Sequence, residues 1–97
     1  MMKKKEEKIL TLHPQGKKGV NISLTKYLVM KEFILDQLRQ RDGQTFAELN
    51  MTALETFKNK WQGSIPWYLI TVKLDMEARG LIERDSSTKP YLIRLKK

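Results

Sequence analysis

The spacing of apolar residues in the first quarter of the chain predicts β structure. Two short apolar stretches, "ILTL" at 9–12 and "GVNI" at 19–22, are separated by the polar segment "HPQGKK". Pro14 and Gly16 within this separator, and Gly19 directly after it, mark a turn or a loop. The pattern predicts two β-like segments over residues 9–23, which form either a hairpin or an extended arm lying across the domain.

From residue 23 the apolar positions change to a helical period. Their side chains recur every three or four residues and form one stripe on a helix: Tyr27, Met30, Ile34 and Leu38. Ser23 or Thr25 can cap this helix, and the dipeptide Asp42-Gly43 can end it. We therefore predict a first helix over about residues 24–41.

A second helix is indicated by "TFAE" at 45–48, which fits a capping box. In this motif the Thr45 hydroxyl and the Glu48 carboxylate each satisfy a free backbone N–H. The helix is predicted to continue to Gln62-Gly63, because apolar side chains keep a helical spacing up to that point: Phe46, Leu49, Ala53, Phe57 and Trp61.

A third helix is predicted over about residues 65–79. Ser64 can cap it, Pro66 lies in the first turn where its missing N–H costs nothing, and Gly80 can close its end. Only two or three residues would then join the second and third helices, the short connection expected of a helix-turn-helix.

The last segment again has a strand-like pattern. Leu81 to Arg84 and Tyr91 to Leu95 alternate in polarity, and the turn-forming segment "DSSTKP" separates them. Three helices followed by a two-stranded ribbon predict an α+β fold in the order of a winged helix-turn-helix, with a β-like arm at the N-terminus.

Specific motifs support this interpretation. The segment "VKLDMEARGLIERD" with the later "YLIRL" resembles the passage from recognition helix to wing in winged helix-turn-helix proteins. Together with "HPQGKKGV" and "GSIPWY", the chain resembles a family of short, uncharacterised bacterial proteins with a predicted winged-helix fold. The expected organisation is a basic disordered tail at 1–8, an arm or hairpin at 9–23, and a winged-helix domain at 24–97.

The net charge of the chain and its distribution indicate what kind of partner the protein binds. The formal net charge is +8, which invites a nucleic-acid or acidic partner. Residues 1–22 hold six Lys or Arg against two Asp or Glu, and residues 80–97 hold five against two. The basic surplus therefore lies at the two ends of the chain, while the middle is nearly neutral.

Candidate catalytic chemistry is sparse. The chain has no cysteine and a single histidine, His13, in the predicted loop. Disulfides and thiolate chemistry are excluded, and no Asp or Glu cluster has metal-ligand spacing. We expect a non-enzymatic protein without catalytic residues, metal or cofactor. The longest apolar run, "YLVMKEFIL", is too short to span a bilayer, and the lack of cysteine suits the cytoplasm.

The resemblance implies that the third helix enters the major groove of DNA and that the wing touches phosphates. The helix face turned away from the core would carry Trp67, Ile70, Thr71, Leu74 and Ala78. This face offers one hydroxyl, from Thr71, and apolar surface, whereas base reading needs Arg, Lys, Asn, Gln or acidic side chains. The spacing also predicts ion pairs Lys73–Glu77 and Asp75–Arg79, which would occupy the charged groups of the helix.

Two functional hypotheses follow. In the first, the protein binds double-stranded DNA, as a small transcriptional regulator, through Arg84, Lys89, Arg94, Lys96, Lys97, Lys17, Lys18 and Thr71. In the second, it is a protein-interaction or homodimerisation module, in which a partner or the arm covers Trp67, Ile70, Leu74 and Ala78. "GKKG" at 16–19 can cradle a phosphate, but a β-turn is the favoured interpretation.

Overall fold

The computed structural model describes residues 7–96, which form an α+β structure with three helices and two small antiparallel sheets in that range. The elements in chain order are β1 (Lys8–Leu10), β2 (Asn21–Ser23), α1 (Leu24–Gln40), α2 (Phe46–Thr56), α3 (Ile65–Ala78), β3 (Ile82–Asp85) and β4 (Leu92–Leu95). No helix within residues 7–96 is long and apolar enough to cross a membrane. Most of the predicted tail lies outside the described residues, and Lys8 already belongs to β1.

The N-terminal segment is a hairpin, which decides between the two arrangements that the sequence left open. Strands β1 and β2 pair antiparallel with Ile9 opposite Ile22, and both strands contact α1. We call residues 11–20 the hairpin loop. Its base is closed by Thr11, whose N–H and hydroxyl both donate to the Val20 carbonyl at 2.9 and 3.1 Å.

Two glycines shape the hairpin loop. Gly16 has a φ of +73° and donates its N–H to the carbonyl of His13 at 2.9 Å, which makes a β-turn there. Gly19 is needed for a different reason, because a Cβ at this position would lie 1.7 Å from the Thr11 carbonyl oxygen. Any side chain at Gly19 would force the two sides of the loop apart.

The helices begin at the predicted caps. Ser23 caps α1 by accepting a hydrogen bond from the Lys26 N–H at 3.3 Å. Thr45 and Glu48 form the predicted capping box of α2, and Ser64 caps α3. The core between the helices and the C-terminal strands consists of fully buried apolar side chains, among them Met30, Ile34, Leu38, Leu49, Ala53, Leu69, Val72, Met76, Ile82 and Ile93.

The predicted end of the second helix was wrong. Helix α2 ends at Thr56 rather than at Gln62-Gly63, and residues 57–64 connect it to α3, so the connection is much longer than two or three residues. Asn59 has a φ of +61°, a left-handed conformation that cannot continue a right-handed helix.

The helical spacing of Phe57 and Trp61 has another cause. The Phe57 ring lies 5.2 Å from Phe33 and 5.0 Å from Trp61, and Trp61 lies 5.3 Å from Tyr68. These aromatic side chains pack from the connection onto α1 and α3, where each ring pair has tilted or edge-to-face geometry. Phe57 and Trp61 therefore pack from the connection that follows α2, and they do not extend the apolar stripe of that helix.

Strands β3 and β4 form a second hairpin, called here the C-terminal hairpin (residues 82–95). They pair antiparallel with Ile82 opposite Leu95, close to the predicted bounds. The segment after α1 fixes this hairpin: the backbone of Gln44 pairs with Ile93, and the Asp42 carboxylate accepts the Leu95 N–H at 2.8 Å. The Gln44 side chain also donates to the carbonyls of Gln37 and Arg41, which satisfies the end of α1.

Candidate nucleic-acid interface

The face of α3 that points away from the core is partly covered by the hairpin loop. Trp67 is 43% exposed, whereas Ile70, Thr71, Leu74 and Ala78 are half-buried. A narrow cavity between the helix and the loop is lined by Trp67, Thr71 and Leu74 on one side and by Leu12, Lys18 and Val20 on the other. The hairpin loop therefore lies beside this face of the helix and covers part of it.

A buried carboxylate holds the loop in this position. Asp75 has no exposed surface, and it accepts hydrogen bonds from the Leu12 N–H at 2.8 Å and from the Tyr27 hydroxyl. Arg79 completes the set by donating its Nε–H to both carboxylate oxygens at 3.0 and 2.9 Å. One side chain thus joins the hairpin loop, α1 and the end of α3.

These contacts raise the pKa values of Tyr27 and Arg79, the two side chains that bind Asp75. Burial, followed by the hydrogen bond to Asp75, raises the pKa of Tyr27 from 10.0 to about 12. The hydrogen bond to Asp75 is also the main cause that raises the pKa of Arg79. Across the ordinary pH range Tyr27 therefore stays neutral and donates its hydroxyl hydrogen to Asp75, and Arg79 stays charged and pairs with the same side chain.

The other flank of α3 contains a second buried charge. Lys73 is only 2% exposed, and its Nζ lies 2.7 Å from a Glu77 carboxylate oxygen and 2.9 Å from the Tyr91 hydroxyl. The guanidinium of Arg84 lies over the same Tyr91 ring, 3.9 Å from its centroid. This chain of contacts joins α3 to the C-terminal hairpin.

Both predicted ion pairs of α3 are confirmed. Lys73–Glu77 and Asp75–Arg79 form at spacing i,i+4. Spacing alone did not indicate that Lys73 and Asp75 are buried or that they bind residues from other elements. In the sequence, this burial was indicated only by the apolar residues on two sides of α3, which predicted that the arm or a partner covers its second face.

Two of the candidate wing cations are neutralised within the C-terminal hairpin. Arg94 Nε lies 2.9 Å from Asp85, and Lys96 Nζ lies 3.5 Å from Glu83. Hydrogen bonds from the Ser87 side chain, then from Arg94, lower the pKa of Asp85 to about 2, so this acid stays charged. Arg94 and Lys96 are therefore less available to an external anion than the sequence implied.

Other candidate cations remain available. Lys17, Lys18 and Lys89 are exposed, and none of the ion pairs formed within residues 7–96 involves them or Arg84. Lys97 lies outside the described residues. The available cations thus belong to two segments that both contact α3: the hairpin loop through Leu12, and the C-terminal hairpin through Tyr91.

The same region offers little for metal chemistry. Within the described part of the chain, no group of three or more His, Cys, Asp or Glu side chains could hold a metal ion. The arrangement instead presents cations on both flanks of a helix whose own charges are paired internally.

The fold defines an α+β protein in which an N-terminal hairpin and a C-terminal hairpin flank the third helix. The chain belongs to a family of unknown function, DUF6958, whose profile matches residues 8–93. This match spans the N-terminal hairpin, all three helices and the C-terminal hairpin as far as Ile93. No curated protein and no solved structure matches the chain.

Replacing Asp75 by alanine will destabilise the protein, because the Tyr27 hydroxyl and the Leu12 N–H lose their acceptor and Arg79 loses its partner. We expect the free energy of unfolding to fall by about 3 kcal/mol. Urea denaturation followed by circular dichroism measures it. Glu32→Ala is the control, since it removes an exposed ion pair with Arg39 and should cost less than about 1 kcal/mol. Equal losses in the two variants would contradict the role assigned to Asp75.

Tyr27 will ionise at a higher pH than an ordinary tyrosine. Its folded pKa lies above its unfolded value, so its neutral form stabilises the protein fully below pH 10.0, and this contribution is lost as pH rises from there to about 12. Absorbance at 295 nm will show a late phenolate transition near pH 12. Tyr27→Phe must remove this transition and flatten the fall in stability above pH 10.0. A late transition that persists in the variant would show that another tyrosine causes it.

Proposed function

We propose that this protein is a winged-helix protein that associates with double-stranded DNA through its two hairpins, without reading bases through α3. The proposal rests on one observation above all. The exposed cations without an ion pair among residues 7–96 include Lys17 and Lys18 on the hairpin loop, and Arg84 and Lys89 on the C-terminal hairpin, and both segments contact α3.

The order of the elements supports the winged-helix part of the proposal. Helix α1, helix α2, helix α3 and an antiparallel hairpin follow one another, and a bridge from Gln44 to Ile93 adds a third backbone partner to that hairpin. In winged-helix proteins the equivalent hairpin is the wing, which contacts the DNA backbone. On this chain the wing would present Arg84 and Lys89 to phosphates.

The chemistry of α3 argues against base readout. Lys73 and Arg79 are held by Glu77 and Asp75, and the outer face offers one hydroxyl, from Thr71, among side chains that are mostly apolar. The hairpin loop also lines the cavity beside Thr71 and Leu74, which reduces access to that face. Contacts to phosphates from flanking cations give affinity that is largely independent of sequence.

Binding to a short duplex should weaken steeply with salt. If Lys17, Lys18, Arg84 and Lys89 each neutralise one phosphate, the logarithm of the binding constant falls against log salt with a slope of about −4. Fluorescence anisotropy of a labelled duplex between low and moderate salt measures this slope. The double variants Lys17→Ala/Lys18→Ala and Arg84→Ala/Lys89→Ala should each flatten it by about two.

The matched control is Lys58→Ala/Lys60→Ala, which removes the same charge from the connection between α2 and α3. Both lysines are exposed there and take part in none of the ion pairs formed by residues 7–96. The control should leave the slope nearly unchanged. No detectable duplex binding at low salt, or equal effects of all three double variants, would show the proposed interface to be wrong.

A second candidate function is favoured by exposed apolar side chains on and beside the hairpin loop. Leu10 is 55% exposed, Leu12 43%, Val20 41% and Trp67 43%. Leu12, Val20 and Trp67 line one cavity, so they form a continuous apolar surface that suits contact with a second copy of the chain.

Sedimentation velocity over a range of concentrations tests this second function. Self-association through the loop surface predicts dimers that Leu10→Asp weakens by about tenfold or more, because a charge would then be buried in the contact. Met51→Asp is the control, since Met51 is 71% exposed on α2, away from the loop. A protein that stays monomeric at the highest concentrations, or a dimer that is equally sensitive to both changes, would rule out this surface.

A further inference from the structure

The hairpin loop and the end of α3 line an open cavity beside the surfaces that the two functional proposals use. Its volume is about 530 Å³, within the range typical of small-molecule sites. Apolar walls come from Leu10, Leu12, Pro14 and Ala78. The smaller cavity beside Trp67, of about 140 Å³, shares five lining residues of the hairpin loop with it, and we call these two adjoining cavities the groove.

One end of this groove is rich in hydrogen-bond donors. Lys17 and Lys18 line it with exposed side chains. His13 also lines it, and its Nδ1 accepts the Gln15 N–H at 3.1 Å, so the ring proton lies on Nε2, which is left as a donor. The backbone N–H groups of residues 17, 18 and 19 donate to no acceptor within residues 7–96. Successive free N–H groups beside cations favour an anion.

The groove is positively charged, although one acidic residue lines it. Glu77 is that residue, and its carboxylate lies 2.7 Å from Lys73 Nζ, in a pair that is nearly buried. Its charge is therefore compensated from within α3. Lys17 and Lys18, which line the groove, form no ion pair among the described residues, so their charges are not compensated within that range.

The other end of the groove is apolar and contains an aromatic ring. Trp67, Leu74 and Val20 line it, with Thr71 as the polar side chain of α3. A flat apolar group stacks on an indole face at little cost, and Trp67 is 43% exposed and accessible. An anion site and an aromatic site thus lie along a single groove.

We propose that this groove binds a phosphorylated small molecule with a flat ring, with the phosphate at Lys17 and Lys18 and the ring at Trp67. The inference goes beyond DNA association, because the occupant is a free ligand and not the DNA backbone. The groove also borders Leu12, the residue whose N–H binds Asp75, so the ligand contacts the loop that covers α3.

Adenosine 5′-monophosphate is a suitable probe, with adenosine as the comparison that lacks the phosphate. Titration of the ¹⁵N-labelled full chain, followed by NMR, should give saturable shifts of the backbone amides of residues 17–19 and of the Trp67 indole N–H. Lys17→Ala/Lys18→Ala should weaken binding by about tenfold or more, since charge-assisted hydrogen bonds to the phosphate are lost. Lys58→Ala/Lys60→Ala should leave the affinity unchanged.

The outcomes separate this inference from the DNA proposal. Arg84→Ala/Lys89→Ala should weaken duplex binding and leave nucleotide binding unchanged. The inference is overturned if no saturable shifts occur, if adenosine binds as tightly as the monophosphate, or if both lysine double variants act alike. Because both proposals use Lys17 and Lys18, a duplex and the nucleotide should compete for the hairpin loop, and Arg84→Ala/Lys89→Ala is the change that distinguishes the two.

Discussion

The structure around α3 depends on a carboxylate that is removed from water. A buried charge is stable only when hydrogen-bond donors surround it, and Asp75 receives them from the backbone of the hairpin loop, from Tyr27 on α1 and from Arg79. Because each donor comes from a different part of the chain, the position of the loop on the helix follows from satisfying this one group. The hairpin loop therefore covers the outer face of α3 because of these electrostatic contacts as much as because of apolar contacts.

Lys73 has the complementary role on the opposite flank. Its ammonium binds Glu77 and Tyr91, and the Tyr91 ring in turn supports Arg84, so the C-terminal hairpin is attached to the helix through a second buried charge. The charged residues of α3 thus position the two hairpins. Several exposed cations without an ion pair among the described residues lie on those hairpins, whereas the outer face of the third helix is nearly uncharged.

Local features of this fold could be predicted from the sequence, because their causes are local. Ser23, the Thr45–Glu48 capping box and Ser64 define helix starts through contacts of a few residues, and α3 keeps its predicted ion pairs. The end of α2 was missed because an aromatic cluster in the connection has the spacing of a helix stripe. The Asp75–Leu12 bond joins residues 63 positions apart, and no local pattern indicates a contact of that range.

The close contact between Gly19 and Thr11 divides the N-terminal segment into the paired strands β1 and β2 and the hairpin loop. The backbone at Gly19 approaches Thr11 so closely that no side chain fits, and Thr11 binds Val20 through both its backbone and its hydroxyl. Because this contact closes the base of the loop, we expect strands β1 and β2 to keep their register when loop residues change. Residues 13–18 can therefore differ in charge without disturbing the sheet or the Leu12 contact with Asp75, which makes this part of the loop well suited to acquiring new binding preferences.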